Sequence, residues 1–378
     1  MGDRVVIIGG GVIGLAIAFE LGRRGWRDVV IVERGHLNGG ATGRCGGGVR
    51  QQWSTANNIE LMKRSVELYE RLSRETGENI WFRQDGYLFL AKSPEQLAQL
   101  EANVSLQNAH GVRSRIMNRT EIRSMCPFVN LDGVTGGAFN PKDGTIFPFS
   151  VLWAYARAIA RFGHDLRTHT EVVGIAGANG TIARVRTTRG DIETDLIVNA
   201  AGAWAPTVGE MLGVHLPNHP EKHEALVTEA LRPFLGPNLV PMDSGLFVSQ
   251  TMRGEIYACV GVDKHPPTGY TPTFRFARKI SRLRIELMPR LAPVKVLRQW
   301  GGFYDITPDT NPILGPVRGW PGFWQCHGFM GHGFMMAPVM GEIVAEAIVN
   351  GRKHPELDAC YPERFENGQL ATEQMIIG

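Results

Sequence analysis

The chain is poor in the residues that build several kinds of site. Its cysteines are few and odd in number, Cys45, Cys126, Cys259, Cys326 and Cys360, and no two form a Cys-x-x-Cys pair. That spacing gives neither a disulfide framework nor a zinc or iron–sulfur centre. Charge of one sign is also lacking: 40 basic against 37 acidic residues leave +3, with no basic cluster of the kind that grips nucleic acid. No run of about 18 apolar residues suggests a membrane span. Met1-Gly2-Asp3-Arg4 leads straight into a strand, without the apolar core and cleavage site of a signal peptide. A cytoplasmic location is therefore expected. His215, His219 and His223 lie close in sequence, but Pro217 and Pro220 interrupt them, so the stretch reads as an interdomain turn and no metal is expected.

What is present is glycine and β-branched residues in a definite order. Val5-Val6-Ile7-Ile8 reads as a buried parallel strand. Gly9-Gly10-Gly11-Val12-Ile13-Gly14 then makes a turn, and helical spacing runs through Leu15, Phe19 and Leu21 until Gly22 and Gly25. Val29-Val30-Ile31-Val32 is a second buried strand, ending at Glu33. Further along, the pattern predicts a helix with Ile59, Met62, Val66 and Tyr69 inward, and a hairpin turn at Asp85-Gly86 between 81–82 and 87–90. A polar helix is expected over 95–109, and another from an N-cap at Ser150 to Gly163. A strand pair turns at Asn179-Gly180, Leu196-Ile197-Val198 is a buried strand, and a last helix starts near His332 or Pro338 and ends at Gly351.

The first turn fits the pattern G-x-G-x-x-G in its full setting of strand, helix and downstream acid. Gly9 permits the tight turn, Gly11 lets backbone approach a pyrophosphate, and Gly14 allows close helix–strand packing. Val12 and Ile13 open the helix, whose unpaired N–H groups and positive dipole end face the phosphates. Glu33 lies 19 residues beyond Gly14, suited to a free ribose 2′-hydroxyl, which favours FAD or NAD over NADP. Arg34 reads as a solvated or adenine-stacking arginine. An NAD domain would continue with strand–helix units. Here the glycine-rich run 39–48 follows instead, with few side chains to pack. Ala41, Thr42, Arg44, Cys45, Gly46, Gly47 and Gly48 suit a backbone laid along an extended cofactor, Thr42 and Arg44 being able to meet phosphate. FAD is the expected cofactor.

With these pieces the chain resembles the D-amino-acid oxidase, glycine oxidase and sarcosine oxidase superfamily over nearly its whole length. The likeness is carried by the N-terminal fingerprint, Thr170-Glu171-Val172-Val173-Gly174-Ile175, Ala200-Ala201-Gly202-Ala203-Trp204, Trp300-Gly301-Gly302-Phe303-Tyr304-Asp305 and Gly328-Phe329-Met330-Gly331-His332-Gly333-Phe334. Cys45-Gly46-Gly47-Gly48-Val49-Arg50 and Phe247-Val248-Ser249-Gln250 look most like sarcosine oxidase β subunits and the β subunit of dye-linked proline dehydrogenase. The resemblance implies that Val172 and its neighbour Val173 meet the adenine. It implies too that Ala200, Ala201, Gly202 and Trp204 lie against the cofactor, and that Gly302 and Gly331 to Met335 approach the isoalloxazine.

The resemblance also bears on the reacting centre. D-Amino-acid and glycine oxidases place an arginine where Tyr304 stands here, which argues against those substrates. Monomeric sarcosine oxidase holds the substrate carboxylate with an arginine, matched by Arg50, and a lysine, replaced by Met335. His332 reads equally as a flavin-side donor or as packing between two glycines. Tyr257 completes a catalytic set of Arg50, Tyr304, His332 and Met335. No cysteine stands near Gly302, and no histidine lies in 147–153, so FAD is expected to be held non-covalently and without a second flavin.

The expected fold is α/β: a Rossmann-like FAD-binding domain from 1–81, 145–215 and 301–378, with an inserted antiparallel-sheet substrate domain from 82–144 and 216–300. The expected partners are a small amino-acid substrate and oxygen or another electron acceptor, for a monomer or one subunit of a larger oxidoreductase. The expected reaction is oxidation of the C–N bond of a sarcosine-like N-methyl amino acid, oxygen giving peroxide. The alternatives are a proline-type dehydrogenase subunit that passes electrons to a partner or dye, and a glycine or D-amino-acid oxidase.

Overall fold

The computed structural model describes residues 4–261, 269–368, 370 and 373–375. Among these residues two large sheets organise the chain. The six-stranded sheet has the spatial order Ile313–Val317, Trp320–His327, Leu196–Asn199, Arg4–Ile8, Asp28–Val32, Asp165–Arg167. All its pairings are parallel except the first. Both faces are covered at its centre, so Val5 to Ile8, Val29 to Val32 and Leu196 to Val198 form near-continuous buried apolar runs, while the edge strand Asp165–Arg167 is partly exposed. Val5, Ile7, Val29 and Ile31 point to one side, into a core shared with the helices Val12–Arg23 and Gly333–Asn350. Val6, Ile8, Val30 and Val32 point to the other, against a three-stranded sheet of Val172–Ala178, Thr181–Thr187 and Gly190–Glu193. Gly333–Asn350 is long and apolar enough to cross a bilayer by composition, but it packs against the first helix and against Ala56–Thr76.

The eight-stranded sheet runs Val296–Ile306, His219–Ala230, Glu255–Gly261, Phe247–Gln250, Asn238–Pro241, Tyr87–Ala91, Gly136–Asn140, Arg115–Met117. It is antiparallel apart from Asn238–Pro241 beside Tyr87–Ala91. Strand alternation divides its side chains. Leu88, Leu90, Leu226 and Val248 pack on the helix Phe274–Leu287, and Tyr87, Phe89, Ala225, Phe247 and Tyr257 form the opposite face.

Four expectations need correction. Asp85-Gly86 does not turn a hairpin: 81–82 form no strand, and Gly86 adopts φ +87° with its N–H donating to the Asp143 carbonyl. The helix expected from Ser150 begins at Pro148 with Phe147 as its N-cap, and the Ser150 hydroxyl donates to the carbonyls of Phe147 and Ile80. The proline-interrupted histidine stretch is not a turn from His219 onward. His219 and His223 lie in a 12-residue strand, which tolerates Pro220 near its start, where only one neighbour is paired. The strand Val296–Ile306 runs unbroken across the boundary expected at 300/301.

Candidate active site

A cavity of about 550 Å³ opens between the first helix and the aromatic face of the eight-stranded sheet. Its dinucleotide end is built by local geometry. Gly9 holds φ +117°, and a Cβ there would lie 2.4 Å from the Ala200 carbonyl oxygen. Gly14 sits beneath the cavity, not in its wall. A Cβ on it would come within 2.1 Å of the Gly9 carbonyl oxygen, so it acts through packing. The first helix starts at Gly11 with no side-chain cap of its own, while Val12 N–H donates to Thr42 Oγ1 at 3.2 Å, tying the glycine-rich loop to the helix start. Glu33 accepts from Gly10 N–H and Gly35 N–H, each at 2.9 Å, which places its carboxylate in the cavity wall. A helix start whose N-cap is a glycine, with a carboxylate at the next strand end, fits the pyrophosphate and ribose of FAD.

The glycine-rich loop lines the same cavity, with Ala41, Arg44, Cys45 and Gly46 to Gly48 in its wall. Arg44 donates to the carbonyls of Gly39 and Gly40 and lies 3.8 Å over the Tyr270 ring. Arg34 is exposed and stacks 3.7 Å over Trp204, which engages it on protein. Cys45 Sγ donates to the Thr42 carbonyl, and burial pushes its thiol up to about 12. Val172, Ala200, Ala201 and Gly202 also reach the cavity. Val173 does not: it is 59% exposed, because strand alternation turns it away from Val172's side.

At the other end, Gly302, Tyr304 and Gly331 to Met335 line the cavity. The helix Gly333–Asn350 begins there with no side-chain cap and no acid in its first turn, so its N-terminal dipole stays unneutralised. Tyr304 stacks on His223 with ring centroids 3.8 Å apart, and its ring closes over Gly331. Tyr257 packs against Gly46, where a Cβ would lie 2.5 Å from its ring. Burial holds both phenols protonated, well above their usual range.

Arg50 sits at the centre of this end, 1% exposed. Its guanidinium donates to the carbonyls of Gln52 and Met375 and approaches His332 Nε2 at 3.3 Å. It stacks 4.2 Å over Trp53. Arginine only donates, so Nε2 of His332 is the acceptor. Burial first, then the Arg50 charge, drives the His332 pKa well down, leaving a neutral ring. No carboxylate among the described residues lies within ion-pair distance of Arg50 (Arg364 and Asp309, by contrast, pair at 2.7 Å). Burial lowers the Arg50 pKa, while Glu373 and Asp143 oppose that at longer range. Asp143 is fully buried, accepts from Gln51 N–H at 2.7 Å and Gln52 Nε2 at 2.9 Å, and burial raises it to about 7.

Sequence reasoning missed several wall residues. Tyr87, Phe247 and Trp300 join the expected Tyr257 in a chain of rings, Tyr87–Phe247–Tyr257–Trp300, with successive centroids 5.7, 5.9 and 5.9 Å apart, and all four line the cavity. Tyr87 and Phe89, like Tyr257 and Cys259, alternate on one strand face, a signal that marked a buried face without naming what it faced. His223 was set aside with the other histidines. No group of three or more potential metal ligands occurs among the described residues.

The fold and the site together define an FAD-dependent oxidoreductase of the two-sheet type. The chain belongs to the DAO family of FAD dependent oxidoreductases, whose model matches residues 4–347. It is 31% identical to the sarcosine oxidase subunit beta of Rhodobacter capsulatus, over 99% of this chain and 91% of the relative. It is 29% identical to the mitochondrial dimethylglycine dehydrogenase of Rattus norvegicus, over 98% of this chain but only 45% of that longer protein. Among solved structures, the L-proline dehydrogenase of P. horikoshii superposes with a TM-score of 0.93 at 36% identity, covering 97% of this chain and 98% of that one. Glycine oxidase of Geobacillus kaustophilus shares the fold, with a TM-score of 0.87 at 24% identity over 96% and 98% of the two chains.

Proposed function

We propose that the protein oxidises the C–N bond of a small N-substituted amino acid, sarcosine-like in size, with Arg50 holding the substrate carboxylate. The observation that carries this reading is a buried guanidinium with no carboxylate partner among the described residues, in the wall of a cavity that also holds Tyr87, Phe247, Tyr257 and Trp300. A buried cation is costly unless a ligand anion completes it. The rings suit the other half of such a substrate, because aromatic faces attract substituted ammonium groups and accept methyl groups. When bound, FAD supplies the two-electron oxidising capacity. The uncapped N-terminus of Gly333–Asn350 directs backbone N–H groups at the same end of the cavity, where they favour negative charge. Neutral His332 keeps Arg50 oriented without adding a second charge.

For the acceptor we favour oxygen, giving peroxide. The second reading, a proline-type dehydrogenase subunit that passes electrons to a partner, is supported by the 36% identity to an L-proline dehydrogenase and by relatives named as β subunits. Anaerobic bleaching of the flavin absorbance over a panel of sarcosine, dimethylglycine, proline and glycine tests the substrate class. Bleaching by an N-substituted member is expected, and a flavin that none of them bleaches would overturn it. Admitting oxygen with the bleaching substrate and measuring peroxide then separates the acceptors; dye reduction without peroxide selects the dehydrogenase.

A further inference from the structure

The segment that reaches Arg50 from the far end of the chain carries Glu373, which is 3% exposed. One of its carboxylate oxygens accepts from Ser54 N–H at 3.0 Å, from the Ser54 hydroxyl and from Met375 N–H at 2.9 Å. The other accepts from the Thr55 hydroxyl at 2.8 Å and Asn58 Nδ2 at 3.0 Å. These donors surround the start of the helix Ala56–Thr76, whose N-cap, Thr55, makes no side-chain cap of its own. The helix has no acid in its first turn, so Glu373 supplies the negative charge that its dipole favours. Burial pushes the carboxyl up, but the bonds from Ser54, Asn58, Met375 and Thr55 outweigh it and hold the group below its usual value.

Two residues on, the Met375 carbonyl accepts from Arg50 Nη2, and the Met375 side chain packs in the cluster that holds Tyr87, Phe247 and Tyr257. Glu373 N–H donates to Thr310 Oγ1 at 3.1 Å, and Gln374 N–H to Ser54 Oγ at 3.1 Å. The segment 373–375 is thus fixed on both sides, and its end touches the guanidinium assigned to the substrate. The other two groups bonded to Arg50 are the Gln52 carbonyl and His332 Nε2. Neither is attached to Glu373, so loss of the segment would leave the arginine in place but free to turn about its remaining contacts.

We propose that Glu373 is a positioning residue for substrate recognition, fixing the C-terminal segment so that the Met375 carbonyl aims the Arg50 guanidinium into the cavity. This rests on Arg50 as the carboxylate site, and acetate, the smallest carboxylate, separates the two ideas. Its binding is read on the purified holoenzyme by the change in flavin absorbance. Acetate should bind the native protein, and Glu373→Ala should weaken it by about tenfold or more, raising KM for the amino acid with kcat and FAD content kept. Glu373→Gln should stay within about threefold of native, because its oxygen still accepts from Ser54 and Met375 while Thr55 and Asn58 can reorient. Acetate affinity unchanged in Glu373→Ala, with only melting temperature lowered, overturns the proposal. Native protein that does not respond to acetate removes Arg50 from the carboxylate site and takes this inference with it. If Glu373→Ala does not fold, Asn58→Ala removes a single bond. A loss of about two- to fivefold in acetate affinity is then expected, and no change overturns the proposal.

Discussion

Arg50→Ala is the most informative single substitution. It removes a guanidinium that is 1% exposed and bonded to Gln52, Met375 and His332. Truncating one partner of a desolvated, hydrogen-bonded charge pair costs about 2–5 kcal/mol. At about 1.4 kcal/mol per decade, that is a fall of roughly 30- to 4,000-fold in kcat/KM for a carboxylate substrate. Folding responds differently. Two buried carbonyls lose a donor, at about 1–3 kcal/mol each, but a buried cation lacking an anion is also removed, so the two effects partly offset. The variant should therefore fold and hold FAD while turning over poorly. Arg50→Lys keeps the charge without the planar fork and should fall between the two. Initial rates over a wide substrate range, on samples matched for FAD content, measure this. A kcat/KM within about threefold of native for Arg50→Ala would refute the assignment.

Three further outcomes follow from the same geometry. Acid precipitation should release all the yellow colour into the supernatant, because burial pushes the thiols of Cys45 and Cys259, which line the cavity, up to about 12 and leaves them poor nucleophiles; colour retained in the pellet refutes non-covalent binding. Gly14→Ala should yield protein lacking FAD, since its methyl would need the space 2.1 Å from the Gly9 carbonyl oxygen; normal FAD content would contradict the packing role. Asp143→Asn should flatten the dependence of stability on pH. The Asp143 carboxyl rises from 3.8 to about 7 on folding, so between these values the folded chain keeps a proton that the unfolded chain has lost, and stability present below about pH 4 is lost as pH rises to about 7. The loss is at most about 4 kcal/mol, read as the difference between native and variant in denaturant melts from pH 4 to 8, and parallel curves would contradict it.

The dinucleotide end of the site was legible because its signals are local. Gly14 against the Gly9 carbonyl and Glu33 bonded to Gly10 N–H answer constraints set within one strand–turn–helix–strand unit, and the apolar runs of 5–8 and 29–32 announce a sheet covered on both faces. The substrate end was legible only in part. Arg50, Tyr304 and Met335 were reached through family resemblance, whereas Tyr87 and His223 enter the site through pairings between distant segments. Tyr87 faces the cavity because its strand lies beside Asn238–Pro241, and His223 meets Tyr304 through the register of His219–Ala230 with Val296–Ile306. The misread Ser150 and Val173 show the limit from the other side. A good capping residue lost to a proline two residues earlier that already opened the helix, and a neighbour in a strand took the opposite face.

The claim that a buried arginine reads a carboxylate beside the cofactor is tested most directly by paired anaerobic bleaching. Flavin reduction is followed with sarcosine or dimethylglycine and, separately, with dimethylamine or trimethylamine, which carry the same methylated nitrogen and no carboxylate. Rapid bleaching by the amino acid and none by the simple amine is the predicted result. Equal rates with both would contradict it.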